Sequence, residues 1–224
     1  MKARTLFITG TETGVGKTVM ATLLTRRLRE QGLRVAALKP ICSGGRADAR
    51  ILREAAGRVL SLDEVNPWHF RAALAPLLAA RMERKCVQLR EVVAHIRRVR
   101  ERFDVVVIEG AGGLLSPLGE GFDSRDLIVA LRAVPVVVCP NRLGAVNQAR
   151  VAVSALPAKL AREAQVILMS PRCADAASRT NARLLGEFLG LDRVQTFPRI
   201  PMKNRTRPAS LSRRLNELTA RCLK

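Results

Sequence analysis

Six short apolar runs recur along the chain, and none alternates cleanly with polar residues. They lie at Thr5–Thr9, Arg34–Lys39, Val105–Glu109, Val134–Cys139, Gln165–Met169 and Val194–Phe197. Continuous Val/Ile/Leu runs of this length are strands covered on both faces, as in a parallel sheet. Between them the apolar positions fall at helical spacing over Thr18–Gln31, Ala47–Val59, Leu89–Arg102, Ser124–Leu131, Val146–Arg162 and Ala177–Leu189. Pro157 is expected to bend or end the fifth helix, because it has no N–H and its ring crowds the preceding turn. The alternation predicts a doubly wound α/β fold. In such a fold a mostly parallel sheet carries helices on both faces and takes its ligands at the C-terminal strand ends. Residues 61–88 break the rhythm and read as a loop with a short helix from Ala75 to Arg84. Past Pro198 the chain turns polar and basic. A loosely held tail from about residue 202 is expected there, with one helix from Ser210 to Cys222.

Composition narrows this picture in three places. A chain of 224 residues suits one domain spanning 1–224, with enough volume to bury a two-faced sheet. No apolar run approaches the length of a membrane span, and Met1–Arg4 leads straight into a core strand without a leader, so a cytoplasmic location is expected. Five cysteines without a C-x-x-C pair fit reduced, buried thiols, and cysteine ligation of a metal is not expected.

The net charge of +20 comes from arginine, which supplies 32 of the 39 basic residues. Such a total fits a nucleic-acid binder, since phosphate contacts dominate that affinity. With one Trp, no Tyr and six Phe, however, stacking platforms for bases are scarce. Arginine on solvated faces is the favoured reading, and a nucleic-acid partner is not expected.

The first strand leads into Gly10-Thr11-Glu12-Thr13-Gly14-Val15-Gly16-Lys17-Thr18 and then a helix. The segment meets the phosphate-binding pattern G-x-x-x-x-G-K-[ST] in part and reads as one loop, in the strand–loop–helix setting the pattern requires. Glycines let successive N–H groups face one hollow, and the helix N-terminus adds positive potential. Glu12, Thr13, Gly14, Val15, Gly16, Lys17 and Thr18 are thus expected to hold a nucleoside triphosphate, in a fold of P-loop NTPase type. Lys17 reaches the outer phosphates, and the Thr18 hydroxyl ligates Mg²⁺.

Two other strand ends carry matching chemistry. Glu109 closes a buried strand ahead of Gly110-Ala111-Gly112-Gly113, where an acid holds Mg²⁺ directly or through water. Lys39 closes the second strand and adds a second fixed cation to the crevice, suited to a transition state that gathers negative charge. Asp48 reads equally as a second Mg²⁺ ligand or as a helix N-terminal acid stabilised by the dipole. His69 and His95 have no ligand spacing and read as structural. Cys42 sits near Lys39, where a thiolate is favoured, but no base is near in sequence and a nucleophilic role is not expected. Partitioning ATPases with this loop carry a lysine where Glu12 stands, so a trans-acting lysine is absent.

Taken together, these residues resemble dethiobiotin synthetase, the ATP-dependent ring-closing enzyme of biotin synthesis. The resemblance rests on the loop above, on Lys39-Pro40-Ile41-Cys42-Ser43-Gly44, Val65-Asn66-Pro67-Trp68-His69-Phe70, Val107–Gly113 and Leu143-Gly144-Ala145-Val146-Asn147. It covers roughly residues 5–150 in the family's order. The resemblance implies that Thr13, Lys17 and Thr18 cradle ATP phosphates and Mg²⁺, with Asp48 and Glu109 completing the metal's surroundings. It implies that Lys39, Ser43 and Gly112 meet 7,8-diaminopelargonate, with Lys17 and Lys39 as the catalytic cations. It further implies a homodimer in which Gly144–Asn147 receives the substrate carboxylate from the partner subunit. The implied reaction adds CO₂ to an amine, phosphorylates the carbamate and closes a cyclic urea. The chain departs from the family where Ser170-Pro171 stands in place of a purine-reading Asn, and where Ala75-Pro76-Leu77 replaces an S-P-H-like element. Two rival readings remain, a partitioning-type ATPase and a divergent amidoligase-like or regulatory nucleotide-binding protein.

Overall fold

The computed structural model describes residues 3–198 and 209–223. The chain runs β1 (Arg4–Gly10), α1 (Lys17–Glu30), β2 (Val35–Leu38), β3 (Ile41–Ser43), α2 (Ala47–Ala55), α3 (Leu62–Val65), β4 (Trp68–Phe70), α4 (Pro76–Met82) and α5 (Leu89–Arg100). It continues through β5 (Val105–Glu109), β6 (Pro117–Gly119), β7 (Phe122–Asp123), α6 (Ser124–Leu131), β8 (Val134–Pro140), α7 (Ala145–Ser154) and α8 (Ala158–Glu163). Then follow β9 (Gln165–Met169), α9 (Ala176–Leu189), β10 (Val194–Phe197) and α10 (Ala209–Leu223). Six strands form one sheet in the order β10-β9-β8-β1-β5-β2, and every pairing in it is parallel.

Alternate residues of each strand enter opposite cores, which is why the strands read as unbroken apolar runs. Leu6, Ile8, Val107, Val136 and Ile167 face α1, α2 and α10, where Met20, Leu24, Leu52 and Leu215 meet them. Phe7, Val106, Ile108, Val137 and Leu168 face the other way, against Ile96, Leu127, Ala149 and Leu185 of α5, α6, α7 and α9. Both layers of the predicted doubly wound fold are present.

The fifth helix is divided as expected at Pro157, which forms the N-cap of α8 after α7 has ended. Elsewhere the structure corrects the expected elements in three places. The second helix stops at Ala55, because Gly57 and Arg58 turn to positive φ (80° and 59°). Residues 61–88 hold more order than one helix: α3 opens on a Ser61–Glu64 capping box, and β4 pairs in parallel with β3. The expected loose tail differs most. Residues 202–208 lie outside the described residues, but α10 is seated in the core with Leu211, Leu215, Leu218 and Cys222 buried. Those four positions form a helical stripe of spacing four, three and four, which the basic residues between them obscured. Arg27 Nε donates to Asn216 Oδ1 at 2.5 Å, tying α10 to α1.

Arginine occupies an uncommon backbone seat three times. Arg58, Arg84 and Arg132 adopt left-handed φ (59°, 53° and 49°) in the turns that end α2, α4 and α6, where glycine is the ordinary occupant.

Candidate active site

The loop between β1 and α1 curls because Gly14 and Gly16 take φ of 77° and 102°, closed to most side chains. Thr11 N donates to Val138 O at 3.0 Å, which anchors the loop to the neighbouring strand β8. Lys17, the first residue of α1, folds back over the loop, and its Nζ donates to Glu12 O at 2.8 Å. Burial, and next the charge of Lys39, pull the Lys17 pKa down to about 8. An oxyanion in the loop acts against this shift and favours the charged ammonium.

Two strand ends and the start of α2 converge opposite this lysine. Lys39 Nζ, just past β2, donates to Glu109 Oε1 at 2.7 Å and to Gly110 O at 2.8 Å. Its Nζ also lies 3.8 Å from Asp48 Oδ2 at the start of α2. Thr18 Oγ1 donates to the same Glu109 Oε1 at 2.9 Å. Glu109 Oε2 is buried and has no hydrogen-bond partner in the structure. An orphaned carboxylate oxygen beside a threonine hydroxyl and a second carboxylate suits a hard divalent cation that completes its shell with water and phosphate. Among the described residues no group of three or more His, Cys, Asp or Glu is gathered for a metal, so an all-protein cage is not built here. The donor set fits Mg²⁺ held jointly with a nucleotide.

A pocket of about 710 Å³ opens over this cluster. Of the residues expected at the site, Thr13, Gly14, Gly16, Lys17, Thr18, Lys39, Ser43, Asp48, Glu109 and Gly112 all line it. Ser43 sits on β3, and its Oγ donates to Leu74 O at 2.5 Å, joining two walls of the pocket. Gly112 has φ 68°, and a Cβ there would lie 2.3 Å from Ser116 Oγ, so the backbone approaches the ligand space bare.

The other expected residues lie elsewhere. Val15 is buried beneath the loop, and the Glu12 carboxylate turns to the rim, where Arg142 Nη2 meets it at 2.7 Å. Gly144 caps the start of α7, and Asn147 lines a separate hollow with Thr13, Leu115 and Val151. Neither Gly144 nor Asn147 lines the pocket over Lys39, although Thr13, Ser116 and Pro117 border both hollows.

Three contributors escaped the sequence. Asn66 is fully buried; its Nδ2 donates to Lys39 O at 2.6 Å, while its Oδ1 accepts from Cys42 Sγ at 3.2 Å and Arg46 Nε at 3.1 Å. It fixes the turn that aims Lys39, and its place in Asn66-Pro67 was the available signal. Ser116 lines the pocket and accepts from Gly113 N at 2.8 Å. Arg142 holds Glu12. Burial raises the Cys42 thiol pKa, against the expectation that Lys39 would favour its thiolate. His95 is structural as expected: its Nε2 bonds Glu64 O at 2.8 Å, and its ring meets Trp68 edge-on at 5.8 Å.

A glycine-curled phosphate loop, a lysine at its helix start and an acid on the adjacent strand define a P-loop nucleotide-dependent protein. Solved structures agree on the fold: a ParA family ATPase from Chlorobium tepidum matches with a TM-score of 0.54 at 14% identity, covering 100% of this chain and 92% of that one. The structure of pNOB8 ParA bound to nonspecific DNA matches with a TM-score of 0.56 at 13% identity, covering 98% and 93%. A family profile described as an AAA domain matches residues 4–207. In sequence, the chain is 34% identical to an ATP-dependent dethiobiotin synthetase of Akkermansia muciniphila over 83% of this chain and 87% of that protein. It is 43% identical to that of Anaeromyxobacter dehalogenans over 74% and 76%, and 33% identical to that of Bacillus licheniformis over 87% and 85%. The chain belongs to the dethiobiotin synthetase family and is an ATP-dependent ligase. Among the described residues no helix is long and apolar enough to cross a membrane.

Proposed function

We propose that this ligase joins CO₂ to 7,8-diaminopelargonate and closes the cyclic urea of dethiobiotin at the expense of ATP. The carrying observation is Lys39 Nζ, pinned between Glu109 Oε1 and Gly110 O in the pocket that Lys17 also lines. Two fixed ammonium groups at one crevice serve a reaction in which negative charge collects on a carbamate and a transferring phosphoryl group. One amine adds to CO₂ and sheds a proton to give the carbamate. The carbamate oxygen attacks the γ-phosphorus, the bond to ADP breaks, and a carbamic–phosphoric anhydride forms. The second amine then attacks the carbonyl carbon, phosphate leaves, and the ring closes.

In this reading Lys17 and the loop from Glu12 to Thr18 hold the triphosphate, and Lys39, Ser43 and Gly112 hold the diamine end of the substrate. Thr18, Asp48 and Glu109 would hold Mg²⁺, which supplies charge neutralisation at the β- and γ-phosphates. No protein nucleophile is required, in keeping with the buried, proton-retaining Cys42. Positioning and electrostatics are the protein's contribution. A homodimer completes the site, with Gly144 and Asn147 of the partner subunit meeting the substrate carboxylate; within one chain Asn147 lines a hollow that Lys39 does not, in keeping with this reading. The protein acts in the cytoplasm as one P-loop domain.

The test is to mix purified protein, MgATP, bicarbonate and 7,8-diaminopelargonate, then follow phosphate release with mass analysis of the product. Diamine-dependent phosphate release with a cyclic urea is expected. ATP binding without diamine-dependent turnover would move the assignment to another acceptor.

A further inference from the structure

At the edge of the sheet opposite the phosphate loop the strands begin, and a second hollow of about 1040 Å³ opens there. The starts of β1, β2, β5 and β8 and the ends of α5 and α6 border it. Arg4, Arg34, Arg97, Arg100 and Arg132 line it, and Asp104 is the one acid among the described residues that do. Asp104 is already engaged, accepting from Arg34 Nη2 and from the Arg34 amide, both at 2.8 Å. Among the described residues no carboxylate pairs with Arg97, Arg100 or Arg132. Arg97 Nη2 reaches Ala130 O at 3.3 Å, which draws it across from α5 to α6. The apolar residues Val105, Leu131 and Val134 also line the hollow.

Helix C-termini attract cations, and this accounts for basic residues in the last turn of α5. The same attraction accounts for a cation at Arg132, the C-cap of α6, but not for a side chain held in that residue's backbone conformation. Its backbone is held at φ 49° and ψ 45°, a strained seat for any side chain beyond glycine or asparagine. Arg58, in the same conformation, engages Glu54 at 2.7 Å, whereas Arg132 lines the hollow. A strained backbone that holds a guanidinium in a basic hollow points to a use for that guanidinium.

We propose that this hollow binds a small, multiply charged organic oxyanion, separate from the nucleotide site. Its phosphate or carboxylate groups meet the forks of Arg97, Arg100 and Arg132, which match both geometries, and its apolar body lies on Val105, Leu131 and Val134. The arginines converge on a cavity and do not run as a stripe, which favours a small molecule over a nucleic-acid backbone. This site stands whether or not the acceptor assigned above is correct.

The test uses the full chain with the phosphate loop first saturated by Mg²⁺ and a non-hydrolysable ATP analogue. Tripolyphosphate and citrate are then titrated by calorimetry into wild type, Arg132→Gly and the double variant Arg97→Ala/Arg100→Ala. Saturable binding to wild type that weakens with salt is expected, at least about tenfold weaker in both variants. The stronger of the two anions tells phosphate from carboxylate. Arg132→Gly relieves backbone strain, so it melts at or above the wild-type temperature, and lost anion binding in that variant is not unfolding. Ligase turnover is unchanged in all three proteins. Equal affinities across the three, no binding of either anion to wild type, or arginine-dependent binding of a DNA duplex alone would each overturn the proposal.

Discussion

Lys39 and Glu109 are both nearly fully buried, so neither can be changed without stranding the other's charge. Lys39→Ala is expected to destabilise the fold by about 3–5 kcal/mol and to lower kcat by about 10²–10³, with nucleotide affinity largely kept. Lys17→Ala is expected to lose turnover and nucleotide binding together. Calorimetry of the ATP analogue beside steady-state kinetics separates the two, and equal losses of both quantities in Lys39→Ala would reject the division of roles. Adding Glu109→Gln to a Lys39→Met variant should recover stability without recovering activity.

His95 gives a prediction of a different kind. Burial holds its folded pKa below the ordinary value, so the native state protonates less readily than the unfolded chain, which takes up a proton near pH 6.5. The unfolded state therefore binds more protons below that pH, and stability falls as pH falls from about 6.5. Urea midpoints at pH 7.5 and 5.5 should differ less in His95→Gln than in wild type; an unchanged difference would remove His95 as the cause.

At the scale of elements, legibility followed contiguity. The six sheet strands were readable because each is an apolar run entering two cores, and the glycine loop, Lys39 and Glu109 were readable because they end such runs. The three-residue strands β3 and β4 carry no period of their own; Asn66, buried between them, and the parallel ladder of Ile41–Ser43 on Trp68–Phe70 create them. Ser116 and Arg142 act through tertiary contacts that no local spacing encodes. Helix α10 was expected over 210–222, but its burial, within reach of a period argument, was hidden by its charge. Its seating predicts that Leu215→Ala, at a fully buried position, destabilises by about 2–5 kcal/mol. That lowers the melting temperature by roughly 5–15 °C. A change within a degree or two would show that α10 is not part of the core.

For the molecule as a whole, the two parts of the proposed substrate site sit in separate hollows of one chain, which makes subunit mixing decisive. In the proposed homodimer, Lys39→Ala and Asn147→Ala are each expected to be impaired on their own. A refolded equal mixture should regain about a quarter of wild-type activity, since half the dimers pair unlike subunits and each of those holds one intact site. A mixture no more active than its parts would place both groups in the same subunit's site.

The contact between α10 and α1 joins residues 189 apart in the chain, Arg27 and Asn216. Helix α1 carries the phosphate-binding lysine at its start, and its core is closed by a segment made much later. During synthesis at about 5–20 residues per second, on the order of ten to forty seconds separate the emergence of the two. Over that interval the apolar surface that Leu211, Leu215 and Leu218 cover has no partner from α10.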